Sequence, residues 1–365
     1  MKKIFLIAAS AMMVLASCTK VEINYPDNGQ PQEIALFSVN KNMVKAPVSG
    51  TAFSAEDNMR VSAYLASVTG GTTASYFENI LFSKVGDNWV AGQYWPISEA
   101  TLNFVAVTQK GGGVDLKEEK IAWSENKFTV TVDYNTAGDE TASPVVPQTY
   151  NQSDIMYASK RASNSGNGTD PNAVVLAFNH ALAWINFAFQ SNVTTAGTLV
   201  INSVELFAPY NGTLTVTPAN YTVSDSDEDE DDELTATAEW TNPGFLNLKV
   251  SDQSNALPDD MDLQNKKTYT AFGSGMLVVP NTAAYTGNYK PYFTINYTIG
   301  QGDESKQYSY KHDLSTVVWE MGKKYTYNIN INLHEIKVEP SVEGWDDTDE
   351  TPDPDVKYGA EVPLG

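Results

Sequence analysis

Tyr325-Thr326-Tyr327-Asn328-Ile329-Asn330-Ile331-Asn332-Leu333 alternates without a break: aromatic and aliphatic residues at the odd positions, Thr and Asn at the even ones. A period of two with one polar face is a strand half-buried in a sheet. The phase then changes, because Ile336 and Val338 fall on the opposite parity, which predicts a bulge or corner near His334-Glu335.

The same kind of text extends outward from this strand. Residues 33–39, 61–65, 101–107, 128–132, 199–207 and 213–217 read as strands, with Gly86-Asp87 and Asn211-Gly212 as turn signals between neighbours. Residues 174–189 are apolar at nearly every position, interrupted by Asn179-His180. Such a run is a strand buried on both faces or two strands meeting at a bend; with His180 and Asn186 near its middle it is too short and too polar for a membrane helix. No long helical periodicity or fixed repeat is present. The seven Trp, nineteen Tyr and fourteen Phe can fill cores without disulfides. A glycan-binding platform is the other use open to them.

These strands divide at the Ser/Asn/Gly stretch over residues 162–171, which ends in Asp170-Pro171. The expected architecture is all-β, with two β-sandwich domains in tandem at 33–168 and 169–345. A polar tether over 18–32 precedes them. Residues 346–365 form a tail that starts acidic and Pro-rich and ends with Val356, Tyr358, Ala360, Val362 and Leu364 on one parity. That alternation suits an added strand, whereas the Asp/Pro run before it suits a stiff spacer.

The start of the chain sets the compartment. Met1-Lys2-Lys3 is basic, residues 4–16 are apolar, and Leu15-Ala16-Ser17-Cys18 follows. This is a secretory signal peptide over residues 1–17, with the lipobox order read by a bacterial lipoprotein signal peptidase. Cys18, the single cysteine of 365 residues, would carry diacylglycerol through a thioether and become the mature N-terminus.

Several function classes are disfavoured. A net charge of −22 opposes nucleic acid and phosphate ligands. Cys18, once lipidated, is no nucleophile. No Gly-x-Ser-x-Gly, P-loop or helix-opening GxGxxG occurs, and His180, His312 and His334 lack metal-type spacing. Neither enzyme activity nor a cofactor is expected. Asp225, Asp227, Asp229 and Asp231 lie in a run of eight acids in nine residues, 225–233. The run lacks the glycine turn and spacing of a calcium loop, so a solvated, self-repelling loop stands beside weak cation binding.

A series of phrases resembles the fimbrillin family, the pilin-like lipoproteins of type V pili in Gram-negative gut and oral bacteria. In order they are Glu33-Ile34-Ala35-Leu36-Phe37, Lys45-Ala46, Asp57, Val61-Ser62-Ala63-Tyr64, Trp89, Tyr94-Trp95-Pro96 and Leu102-Asn103-Phe104-Val105-Ala106. Then come Asp154-Ile155-Met156-Tyr157-Ala158, Val175-Leu176-Ala177-Phe178-Asn179-His180-Ala181-Leu182-Ala183, Gly322-Lys323-Lys324-Tyr325-Thr326-Tyr327 and Ser341-Val342-Glu343-Gly344-Trp345. The phrases cover nearly the whole mature chain.

The resemblance implies transthyretin-like β-sandwiches, an outer-membrane lipoprotein at the cell surface, and a fimbrial subunit that contributes to adhesion. It also implies cleavage after a basic residue past the first strand, and partners that are other pilus subunits, joined by β-strand addition. The tail positions Val356, Tyr358, Ala360, Val362 and Leu364 would be the donor strand. Lys45-Ala46 stands where the family usually has Arg-Ala, so an Arg-specific protease would not cut there; the only arginines are Arg60 and Arg161. An uncut chain would remain anchored to the outer membrane through Cys18. The alternative is a non-polymerising surface lipoprotein that binds glycan or protein on a host or bacterial surface.

Overall fold

The computed structural model describes residues 32–40, 53, 57–65, 75–86, 88–96, 101–110, 121–124, 127–133, 138–139, 146–147, 153–163, 173–191, 199–218, 236–249, 255–256, 276–281, 290–300, 302–331, 335–344 and 362–363. Among them there is no α-helix, and the protein is all-β. The first strands are β1 (Ala35–Asn40), β2 (Met59–Leu65), β3 (Ser75–Val85), β4 (Asn88–Val90), β5 (Thr101–Lys110), β6 (Ile121–Ser124), β7 (Lys127–Asp133), β8 (Gly138–Asp139), β9 (Val146–Pro147), β10 (Asp154–Ser163) and β11 (Ala173–His180). They are followed by β12 (Ala183–Ser191), β13 (Leu199–Thr217), β14 (Thr237–Lys249), β15 (Asn255–Ala256), β16 (Met276–Val278), β17 (Tyr292–Ile299), β18 (Lys306–Asp313), β19 (Lys323–Ile331), β20 (Glu335–Gly344) and β21 (Val362–Pro363).

Seven strands close a barrel in the order β1-β11-β10-β5-β2-β3-β4. Closure leaves no open edge and encloses one apolar core. That core holds Ile34 and Leu36 beside Trp89, Trp95, Phe82, Phe104 and Phe178. The tight β3–β4 hairpin pairs Val85 with Asn88 across Gly86-Asp87, with Gly86 at φ 62°, as the sequence anticipated.

Two further sheets share a second core. One runs β16-β12-β19-β20-β21 and the other β18-β17-β13-β7-β6, with β14 and β15 also on β13. The core between them contains Ile185, Phe187 and Phe189 of β12 and Tyr325, Tyr327, Ile329 and Ile331 of β19. The other sheet supplies Leu206 and Tyr210 of β13 and Phe293, Ile295 and Tyr297 of β17. The described part of the alternating stretch therefore behaves as read: Tyr325, Tyr327, Ile329 and Ile331 are buried and Thr326, Asn328 and Asn330 are half-buried. The parity change after it is a chain reversal. Strands β19 and β20 are antiparallel with Ile331 opposite Ile336, so an odd residue and an even one share a face.

The apolar run 174–189 is two strands meeting at a bend. The bend at Ala181-Leu182 carries β11, a barrel strand, into β12 of the second core. Three backbone-directed hydrogen bonds hold the bend: Ala181 N to Ile155 O (2.8 Å), Gly322 N to Leu182 O (2.9 Å) and Trp240 Nε1 to Ala181 O (2.6 Å). A third apolar cluster lies here, made by Val105 and Val107 of β5, Ile155 of β10, Phe128, Val130 and Val132 of β7, and Leu214 and Val216 of β13. Strand β5 is buried on both faces because its alternate residues serve two cores.

One sequence expectation meets a different arrangement. Asn211-Gly212 is no turn: β13 runs on from Leu199 to Thr217, and neither residue has the positive φ that such a turn needs. The pair instead marks a register shift against β14, where Asn211 packs so tightly on Gly244 that a Cβ there would lie 2.1 Å from Asn211 Oδ1. Strand β13 changes neighbours at this point, from β17 along residues 199–207 to β7 along 211–216. Strand β11 pairs with β1 and β10 in the barrel, and β6 and β7 extend the sheet of β13.

Candidate functional site

The first strand is the element on which the sequence reading placed the most function. Strand β1 lies parallel to β11 along its whole length, from Ala35 opposite Ala173 to Asn40 opposite Phe178. On its other side Leu36 pairs with Trp89 of β4. Just before it, Glu33 bridges Tyr94, Ile34 N donates to Gln93 O (2.7 Å), and Trp95 N donates to Gln32 O (2.9 Å). The sequence Glu-Ile-Ala-Leu puts Ile34 and Leu36 inward, and both are fully buried. Burying a pair of aliphatic side chains contributes about 3–6 kcal/mol.

The slot around β1 is aromatic. Phe53 packs edge-on against Trp89 (5.6 Å between centroids) and against Phe178 (5.8 Å). Trp89 Nε1 donates to Ser38 Oγ at 3.1 Å, and Lys84 Nζ stands 5.5 Å from the Trp89 ring centroid. The site is thus an apolar channel with one polar handle, suited to an extended chain whose alternate residues are aliphatic.

The other terminus supplies a second strand. Strand β21 pairs antiparallel with β20, with Glu335 opposite Pro363 and Ile336 opposite Val362. Of the tail positions proposed from the sequence, Val362 lies here; Val356, Tyr358, Ala360 and Leu364 lie outside the described residues. So do Cys18, Lys45, Ala46 and the acidic positions Asp225, Asp227, Asp229 and Asp231.

Both arginines sit inside strands. Arg60 of β2 is buried, is flanked by Leu81 of β3 and Val107 of β5, and donates through Nη1 to Asn79 O at 3.0 Å. Arg161 of β10 pairs with Asn103 of β5. A protease must draw its substrate into an extended, accessible stretch, and neither position offers one.

One buried polar cluster carried no assigned role in the sequence. His180 Nδ1 lies 2.8 Å from Asp154 Oδ2, with side chains 4% and 0% exposed. Lys110, opposite Asp154 across β5 and β10, is buried beside it. Desolvation lowers the Lys110 pKa, and the carboxylates of Asp57 and Asp154 act in the other direction. Charged residues at strand ends that border apolar runs were the available signal. The cluster is sealed from solvent and ties β5, β10 and β11 together at the bend, which suits a structural role. Among the described residues no group of three or more His, Cys, Asp or Glu is placed to hold a metal ion, and no helix is long and apolar enough to cross a membrane.

Comparisons with known proteins bear on this arrangement. No curated protein matches the chain. Among solved structures, a fimbrial protein from Bacteroides vulgatus is 16% identical, with a TM-score of 0.51 over 86% of this chain and 99% of that one. The tip fimbrial protein Mfa3 from Porphyromonas gingivalis, with C-terminal truncation, is 12% identical, with a TM-score of 0.34 over 86% of this chain and all of that one. The first of these shows a shared fold. A family model described as fimbrillin-like matches residues 45–345, a span holding every strand from β2 to β20. By that match over most of its length, the chain belongs to the fimbrillin-like family.

Proposed function

We propose that this protein is a fimbrial subunit that reaches the cell surface as an outer-membrane lipoprotein on Cys18 and joins its neighbours by strand addition. Family membership supports the fimbrial part. The observation that supports strand addition is the placement of β1. It is a short segment before the family match, it lies between β11 and β4, and it fills the barrel with Ile34 and Leu36. Cleavage after Lys45 would free β1 from the chain that follows it. Its departure would leave unpaired backbone along β11 and an apolar channel beside Trp89 and Phe178. A donor strand with alternating apolar residues, such as 356–364 of another subunit, would restore both. An uncut chain would keep β1 and its lipid and serve as an anchor.

Fimbriae purified from the native cell test this reading. The chain should be present in them and begin at lipidated Cys18 or at Ala46, as read by mass spectrometry of its N-terminus. Its absence from the fimbriae refutes the fimbrial assignment. Deleting residues 356–365 should abolish incorporation; unchanged incorporation refutes strand donation by the tail.

A further inference from the structure

The barrel ends in a charged layer. Along β2, β5, β10 and β11 one parity of residues faces the core, as Met59, Phe104, Met156 and Phe178 do. At the end nearest the bend the same parity carries Asp57, just before β2, with Lys110, Asp154 and His180. All four are buried, at 7%, 4%, 0% and 6% exposed.

The backbone sets three of them side by side. Met59 lies opposite Thr108, Gln109 N donates to Asn58 O (3.3 Å), and Thr108 Oγ1 donates to the same carbonyl (2.9 Å). One step further along this register Asp57 falls opposite Lys110, and on its other side Lys110 lies opposite Asp154. A lysine thus stands between two aspartates at one level, where opposed Cα atoms are about 4.5–5.5 Å apart. The two aspartates are held differently. Asp154 Oδ2 lies 2.8 Å from His180 Nδ1, and its buried Oδ1 has no hydrogen-bond partner among the described residues. Burial favours the amine of Lys110 over the ammonium, and of the two carboxylates Asp57 pulls on it more strongly.

An ammonium and a carboxylate are costly to hold in a site closed to water. Passing one proton within the pair gives a neutral amine and a neutral carboxyl, the two reactants of amide condensation. Fixed geometry can supply an effective molarity on the order of 10⁵–10⁸ M for such a step. We propose that Lys110 Nζ and Asp57 Cγ are joined in an intramolecular amide, formed by the folded chain itself with Asp154 as the proton carrier. The Nζ–Cγ bond forms and one Cγ–O bond of Asp57 breaks. The released hydroxyl takes a proton from Nζ, relayed by Asp154 Oδ1, and leaves as water; Asp154 ends as it began. No oxidant, reductant or cofactor is consumed. The amide ties the start of β2 covalently to the end of β5, in a chain whose single cysteine allows no internal disulfide. The inference does not depend on the fimbrial reading.

Mass spectrometry of peptides from the unaltered full chain tests it. The expected product is a branched peptide joining Asp57 to Lys110, lighter than its two parts by one water, with trypsin unable to cut after Lys110. Recovery of the two segments only as separate peptides overturns the proposal, as does a branch from Lys110 to any other carboxyl. Two variants of the full chain test the chemistry. Asp57→Asn should still form the branch but lose ammonia in place of water, because the same carbon is attacked; loss of water in this variant would overturn the assignment of Asp57. Asp154→Ala should slow formation of the branch by about 10²–10⁴-fold, the range for a positioned proton carrier; an unchanged rate would overturn that role. Should the variants fail to fold, the peptides of the unaltered chain decide.

Discussion

The two strands contributed by the ends of the fold, β1 and β21, are held in opposite ways. Strand β1 is paired on both sides inside a closed barrel, and Ile34 and Leu36 reach its core. Strand β21 touches one side of β20 at the end of an open sheet. Removing β1 would expose two strand edges and a hole, whereas removing β21 would expose one edge. Closure, rather than strand length, makes a terminal strand indispensable here. The sharpest way to break the comparison is to truncate one side chain at each site. Leu36→Ala is expected to lower the stability of the full chain by about 2–5 kcal/mol, the range for a buried leucine that leaves a cavity. Val362→Ala should stay within about 0.5 kcal/mol, because β21 is paired with one neighbour through two residues. Urea unfolding measures both, and equal losses would erase the distinction.

A third strand sharpens the contrast between edges. Strand β18 closes the other end of the sandwich and is mostly polar and exposed, with Tyr310 as its buried anchor. Its His312 ring stacks on Phe293 (4.9 Å) and its Nδ1 lies 3.0 Å from Tyr310 Oη. Burial lowers the His312 pKa, against a smaller opposing pull from Asp313. With a folded pKa below the unfolded one, the neutral ring favours folding. Its contribution is whole above about pH 6.5 and is lost as the pH falls through that value towards the folded pKa. The wild-type chain should therefore lose more of its urea midpoint between pH 8 and pH 5 than His312→Phe, which keeps the stack and removes the titration. Identical pH slopes would show that this edge is held without the histidine.

Much of this arrangement was legible in the sequence, for physical reasons that differ by residue. The strand at 325–331 could be read because one face is core and the other is half-buried, so the period of two is clean. The bend at Ala181-Leu182 could be read because a polar pair, Asn179-His180, interrupts an apolar run. Asn211-Gly212 misled because local turn chemistry was overruled by the long pairing of β13 with β14, in which Gly244 leaves room for Asn211. The parallel pairing of β1 with β11 was not legible: partners so far apart are brought together by closure of the barrel, which no local pattern records. The buried Asp154–His180 pair was hidden for a related reason, since each residue reads as ordinary strand-end polarity until β10 and β11 are set side by side.

The smallest expected effect concerns the tail, where two opposed contributions nearly cancel. Seating β21 on β20 fixes backbone at about 1–2 kcal/mol per residue. In return it gains backbone hydrogen bonds of about 0.5–1.5 kcal/mol each and cross-strand side-chain pairs of about 0.2–1 kcal/mol each. The net is close to zero, so deleting residues 356–365 should shift global stability by no more than about 1 kcal/mol. The same deletion should nevertheless raise hydrogen exchange along β20, because local opening is governed by the neighbouring strand and not by the whole fold. A global loss as large as that of Leu36→Ala would mean that the tail is as integral as β1. A small loss with faster exchange would mark it as a strand held loosely enough to leave while the barrel and its first strand stay intact.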